Sequence, residues 1–122
     1  MADIAASDVT VTVLTRVKEK LRWRNKVKIT FGNATLTYPS GGVPMPAIGA
    51  FGFTGVLENL IITDDDDAQG VLHKWNAEAN KIKAWFPTQQ VSSTTGNRVG
   101  VEYTAATTAP AATTIYAEAV GW

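Results

Sequence analysis

From Val9 to Phe31 the apolar residues fall mostly on odd positions: Val9, Val11, Val13, Val17, Leu21, Trp23, Val27, Ile29 and Phe31. Successive side chains on a strand point to opposite faces, so a period of two predicts extended chain with one apolar face. On a helix the same residues would scatter around the axis. One strand of this span would run about 75 Å, too long for a domain of 122 residues. The segment must therefore bend or reverse, most naturally within Lys18–Asn25, where Glu19 and Asn25 interrupt the apolar face. Gly32-Asn33 reads as a turn, and Leu36-Thr37-Tyr38 as a short returning strand.

Further along, Val56–Thr63 has the β-branched, apolar content of a core strand. Val71–Trp75 and Lys81–Phe86 flank the turn formers of Asn76–Asn80 and predict a hairpin with a five-residue loop, stopped by Pro87. Thr88–Asn97 is polar, and Thr104–Thr114 is almost purely Ala and Thr around Pro110, a connecting loop or loosely held arm. Ile115–Trp122 closes the chain as a strand. No segment has convincing helical periodicity. Many short strands with Gly/Pro turns predict an all-β fold, an antiparallel β-sandwich with long loops and extended termini. Met1–Asp8 is expected as an N-terminal arm, ordered only where it touches something, and residues 9–122 as one sandwich domain.

The Gly/Pro-rich segment 39–55 holds Val43, Met45, Ile48, Phe51 and Phe53. Long loops without structure of their own are usually functional or disordered, and exposed apolar loops tend to be contact surfaces. The plainer reading is a loop folded back over one end of the sandwich. Both stay open at this point.

Charge changes the picture of the first strands. Every even position from Arg16 to Lys28 is basic: Arg16, Lys18, Lys20, Arg22, Arg24, Lys26 and Lys28, seven of the eleven Lys and Arg. Formal net charge is zero, and Asp64–Asp67 form an acidic run, so the molecule is electrostatically polar in spite of its sum. Three readings compete for the basic stripe. Single-strand nucleic-acid platforms interleave aromatics with cations, whereas a regular strand would put Trp23 on the face opposite the cations. Nucleic-acid modules are also usually basic overall. A solvated edge strand would use lysines against edge-to-edge pairing. Docking on an acidic protein surface accounts best for a continuous positive face.

Candidate chemistry is sparse. The absence of cysteine excludes a disulfide framework and thiolate metal sites. Asp64–Asp67 lacks the downstream bidentate Glu of an EF-hand and reads as a solvated tip rather than a Ca²⁺ site. His73, the only histidine, sits mid-strand on the Val71/Trp75 face with no catalytic partner pattern. No nucleophile elbow, phosphate loop or metal spacing is present. The expectation is no enzyme, no catalytic residue, no metal and no cofactor. The opening residues lack a signal-peptide core, and no stretch approaches the roughly 20 apolar residues of a membrane span. A soluble, unsecreted chain is expected.

Several stretches resemble a family of small virion proteins of tailed bacteriophages. They are Lys26-Val27-Lys28-Ile29-Thr30-Phe31-Gly32, Leu36-Thr37-Tyr38-Pro39-Ser40-Gly41-Gly42-Val43-Pro44, Trp75-Asn76-Ala77-Glu78-Ala79-Asn80-Lys81-Ile82 and Tyr116-Ala117-Glu118-Ala119-Val120-Gly121-Trp122. In role the nearest resemblance is to capsid decoration, or cement, proteins. It implies a jelly-roll sandwich, made in the bacterial host cytoplasm, that sits on the outer capsid. There it would bridge major capsid protein subunits as a dimer or trimer, with no nucleic-acid or membrane partner. The residues expected at the capsid or subunit interface are Arg16, Lys18, Lys20, Arg22 and Arg24, with Val43, Met45, Phe51 and Phe53. The alternative of a different class is a carbohydrate- or receptor-binding β-sandwich that uses Trp75 or Trp85 as a stacking platform.

Overall fold

The alternating segment folds back on itself. The computed structural model describes residues 2–64, 72–87, 100–102, 110 and 112–122. In it β1 (Thr10–Glu19) and β2 (Arg22–Phe31) pair antiparallel across Lys20-Leu21. The reversal lies in the expected window, beside Glu19. Neither turn residue is a usual turn former. Lys20 takes a φ of 56°, a left-handed backbone that two-residue hairpins normally assign to Gly, Asn or Asp.

β2 pairs next with β8 (Thr113–Gly121), and β8 with β4 (Leu57–Asp64), giving a first sheet of order β1-β2-β8-β4. Along β8, Ile115, Ala117 and Ala119 point inward while Tyr116, Glu118 and Val120 point outward, the alternation of a sheet with one packed face. The second sheet runs β3 (Val43–Pro44), β6 (Lys81–Pro87), β5 (Leu72–Asn76), and β7 (Gly100–Glu102) also pairs with β6. All these pairings are antiparallel. The chain is an all-β, antiparallel two-sheet protein. A jelly roll carries eight strands in two Greek keys; here three strands lie side by side in the second sheet, with β7 joined to β6 off that path.

One core joins the sheets. Val27, Ile29, Phe31, Ile115, Ala117 and Ala119 from the first meet Val43, Ile82 and Ala84 from the second, with Tyr38, Phe51 and Phe53 packed among them. His73 lies edge-on to Phe31, ring centroids 5.8 Å apart, so the lone histidine packs at the seam of the sheets. Because β3 is only two residues long, the backbone N–H of Ala84 finds no strand partner on that side. It donates instead to the Tyr38 hydroxyl at 3.2 Å, which satisfies a buried donor that would otherwise be orphaned.

Segment 39–55 is cover. It contains β3 and a 3-10 turn, η2 (Ile48–Phe51). Val43, Met45, Phe51 and Phe53 are all buried in the chain's own core. Full burial of such side chains stabilises a fold by about 1.5–3 kcal/mol each, which decides between the two readings of this loop. The expectation that these four residues form an interface is therefore corrected.

The N-terminal segment is likewise part of the body rather than a free arm. Ile4 is buried, its N–H donates to Thr37 O at 2.9 Å, and Thr37 N–H donates to Ala2 O at 2.9 Å. Leu36–Tyr38 forms only that single parallel bridge, Asp3 to Thr37, not a strand. The turn at Gly32-Asn33 is present, with Asn33 Oδ1 accepting from the N–H groups of Thr35 and Leu36. Asp65–Asp67, Thr88–Asn97 and residues 104–109 lie outside the described residues.

Candidate functional site

The basic stripe does not form one face. Between Val13 and Thr15 the β1–β2 register slips by one residue, with Leu14 as the extra residue of a bulge. A one-residue slip exchanges the two faces of a strand. Val11 and Val13 pair with Ile29 and Val27 on the inner face, but beyond the bulge it is Arg16 and Lys18 that pair with Asn25 and Trp23 there. Val17, expected on the apolar face, stands outside opposite Arg24. Trp23 consequently shares its face with two cations: the Arg16 guanidinium lies 4.4 Å from the ring centroid and the Lys18 ammonium 5.8 Å. The expectation that Trp23 lies opposite all the basic residues is overturned, and its cause is the bulge.

Arg16 also donates to Gly52 O at 3.0 Å, so it ties the hairpin to the end of η2. Beside it Asn25, fully buried, donates from Nδ2 to Phe51 O at 2.7 Å, and its Oδ1 accepts from none of the described residues. Gly52 has φ +90°, and a Cβ there would lie 2.8 Å from Asn25 Nδ2. The glycine is required by both the backbone and the approach of the asparagine. Replacing Asn25 by Ala leaves the Phe51 carbonyl buried and unpaired. Asn25→Ala is expected to cost about 1–3 kcal/mol, measured as a fall in the urea midpoint.

On the outer face the other two arginines of the stripe, Arg22 and Arg24, are paired within the chain. Arg22 Nε donates to Glu58 Oε2 at 2.8 Å. Arg22 is on β2 and Glu58 on β4, both neighbours of β8, so this ion pair reaches across β8. Arg24 pairs with Glu118 at 2.9 Å and Glu19 at 3.6 Å. All these side chains are substantially exposed, so each pair contributes at most about 1 kcal/mol and can be exchanged for carboxylates of a partner.

These pairs rim an open cleft of about 1100 Å³ at the hairpin end, lined by Glu19, Lys20, Leu21, Arg22, Trp23, Arg24, Glu58, Val120 and Trp122. Leu21, at the very tip, is 88% exposed and Trp122 is 47% exposed. Trp122 is held in place by its backbone: its O accepts from the N–H groups of Gly55 and Val56 at 2.6 and 2.9 Å, and its N–H donates to Val56 O at 3.1 Å. Its indole lies against Gly55, where a Cβ would come within 2.6 Å of the ring.

Of the expected interface residues, then, the structure gathers Lys20, Arg22 and Arg24 at the cleft and turns Arg16 and Lys18 to the inner face. Val43, Met45, Phe51 and Phe53 are buried elsewhere. Leu21, Glu58, Val120 and Trp122 are members of the site that sequence pattern did not single out. Leu21 continued the odd-apolar phase and read as one more member of the apolar face, while Glu58 and Trp122 reach the site only through the pairing of β4 and β8.

Aromatic, aliphatic and arginine side chains around an open apolar floor form the kind of surface that carries binding energy in protein–protein contacts. The site presents no nucleophile–base pair. Compared with known proteins, the chain matches no family model, no curated protein and no solved structure.

Proposed function

We propose that this chain is a structural virion protein. In this reading it binds the outside of a phage capsid and bridges major capsid protein subunits, and the end of the β1–β2 hairpin is its docking element. The resemblance of four segments to small tailed-phage virion proteins supports the role. The observation that carries the docking element is Leu21. An aliphatic side chain sits at the most exposed point of a hairpin, behind a lysine in a left-handed backbone. Neither choice favours the isolated fold, and strained or exposed residues of this kind mark functional sites. Trp122 and Val120 supply adjoining apolar area, and Arg22 and Arg24 supply charges that can switch from Glu58 and Glu118 to an acidic partner. As a dimer or trimer the protein would repeat each such contact by symmetry, so modest single contacts add to high avidity.

The experiment is add-back of purified protein to stripped capsids. Wild type is expected to rebind in fixed stoichiometry. Leu21→Glu is expected to weaken binding at least tenfold while leaving the melting temperature unchanged, because Leu21 buries almost nothing in the free chain. The double reversal Arg22→Glu with Arg24→Glu is expected to weaken it in a salt-dependent way. Unchanged capsid binding by Leu21→Glu at every salt concentration removes the hairpin as the dock.

A further inference from the structure

The outer face of the second sheet carries charges that its packing does not explain. Lys74 on β5 pairs directly with Lys83 on β6, flanked by the pairs Leu72 with Trp85 and Asn76 with Lys81. Like charges directly opposite each other on antiparallel strands are destabilising. The described ion pairs all lie at Arg22 and Arg24, and none reaches either lysine. Leu72, at the end of the same face, is 64% exposed.

A shallow concavity of about 350 Å³ lies here, lined by Lys74, Trp75, Asn76, Ala77, Lys83 and Trp85. Its side-chain polar groups offer donors. Ammonium groups only donate. Asn76 Oδ1 already accepts from the N–H groups of Glu78 and Ala79 at 3.1 and 3.5 Å, which leaves its NH₂. The Trp75 indole N–H is used by Asn80 Oδ1 at 3.0 Å, and the Trp85 indole is a donor by nature. Trp75 pairs with buried Ile82 and packs against the core, so Trp85 is the aromatic surface on the face of the two lysines. Two positive charges, side-chain groups that donate and one indole face suit an anionic acceptor group carried on a ring.

We propose that this concavity binds an acidic saccharide, with a sugar ring against Trp85 and its carboxylate between Lys74 and Lys83. A pocket of this size is at the lower end of the roughly 300–1,000 Å³ of ligand sites, room for one or two rings rather than a strand of nucleic acid. Sugar hydroxyls rotate, so each can turn a lone pair toward the donors around it and its own hydrogen toward solvent. This site is on a different sheet from the hairpin cleft and stands or falls independently of it.

The test titrates the full chain with a trimer of galacturonic acid, followed by tryptophan fluorescence and calorimetry. Saturable binding is expected, at least tenfold tighter than for a neutral galactose oligomer of equal length. Lys74→Gln with Lys83→Gln is expected to lose at least tenfold in affinity without a lower melting temperature, since it relieves a like-charge pair. Equal binding of acidic and neutral oligomers, absence of binding, tighter binding of a nucleoside monophosphate, or indifference to the lysine substitutions overturns the proposal.

Discussion

Phe51→Ala is expected to lower the stability of this protein by about 3–5 kcal/mol. Phe51 is fully buried at the end of η2, inside a segment whose composition reads as loop. Its ring is part of the core shared by the two sheets, and removing it leaves a cavity there. The substitution keeps the backbone carbonyl that accepts from Asn25, so it isolates the packing contribution from the hydrogen bond. Against a total stability of about 5–15 kcal/mol for a domain, the loss is large. Guanidinium unfolding reads it directly as a shift of midpoint at unchanged slope. A surface change such as Leu21→Ser serves as the control and is expected to stay within about 0.5 kcal/mol. Equal midpoints for the two variants would mean that segment 39–55 is ornamental to the core.

Gly121→Ala is expected to be comparably damaging by the opposite mechanism, overfilling. A Cβ at Gly121 would stand 2.1 Å from the carbonyl oxygen of Val56 and 3.2 Å from two ring carbons of Phe53. The oxygen is not free to swing aside, because it accepts the N–H of Trp122 at 3.1 Å. Overpacking of this kind costs about 1–3 kcal/mol, and more where backbone must move; here backbone is the obstacle. Relief comes only by parting β8 from the chain at Val56, which displaces Trp122 from its seat. Thermal unfolding and tryptophan emission are therefore expected to change together, and, on the proposed function, capsid binding is expected to fall with them. For Leu21→Glu the proposed function expects binding to fall while stability holds, so the pair of variants separates a damaged scaffold from a damaged contact.

Strands were legible where composition and period agreed. β1, β2, β4, the β5–β6 hairpin and β8 all lie within a few residues of their expected places, because Val, Ile and Thr alternating with polar residues fit one half-buried pleat. The turn at Lys20-Leu21 carries no Gly, Asn or Pro, so its window rested on the two interruptions of the apolar face, Glu19 and Asn25. The bulge at Leu14 has no signature in a sequence: an exposed leucine beside Thr15 looks like one more irregularity, yet it decides which face Arg16 and Lys18 occupy. β7 is three residues long in a run without alternation. In segment 39–55 the apolar residues were visible, but a lid and a contact surface use the same side chains, and only burial tells them apart. Lys20, Arg22 and Arg24 of the candidate site were accessible from the charge pattern. Glu58, Val120 and Trp122 come from segments distant in sequence and are set by strand pairing.

The stem of the hairpin is fastened at two adjacent carbonyls, Phe51 O by Asn25 and Gly52 O by Arg16. β2 is paired with β8 from Trp23 to Phe31, whereas β1 is an edge strand held on one side only. The last residues of β1 before the turn would otherwise fray and sample arrangements that a binding partner must discard. Fastening removes that freedom during folding, before any encounter, so less conformational entropy remains to be surrendered at the interface. Cutting either fastening should then show up at the tip, about half a hairpin away, as slower productive encounters and a shorter-lived complex, although no residue that touches the partner has changed.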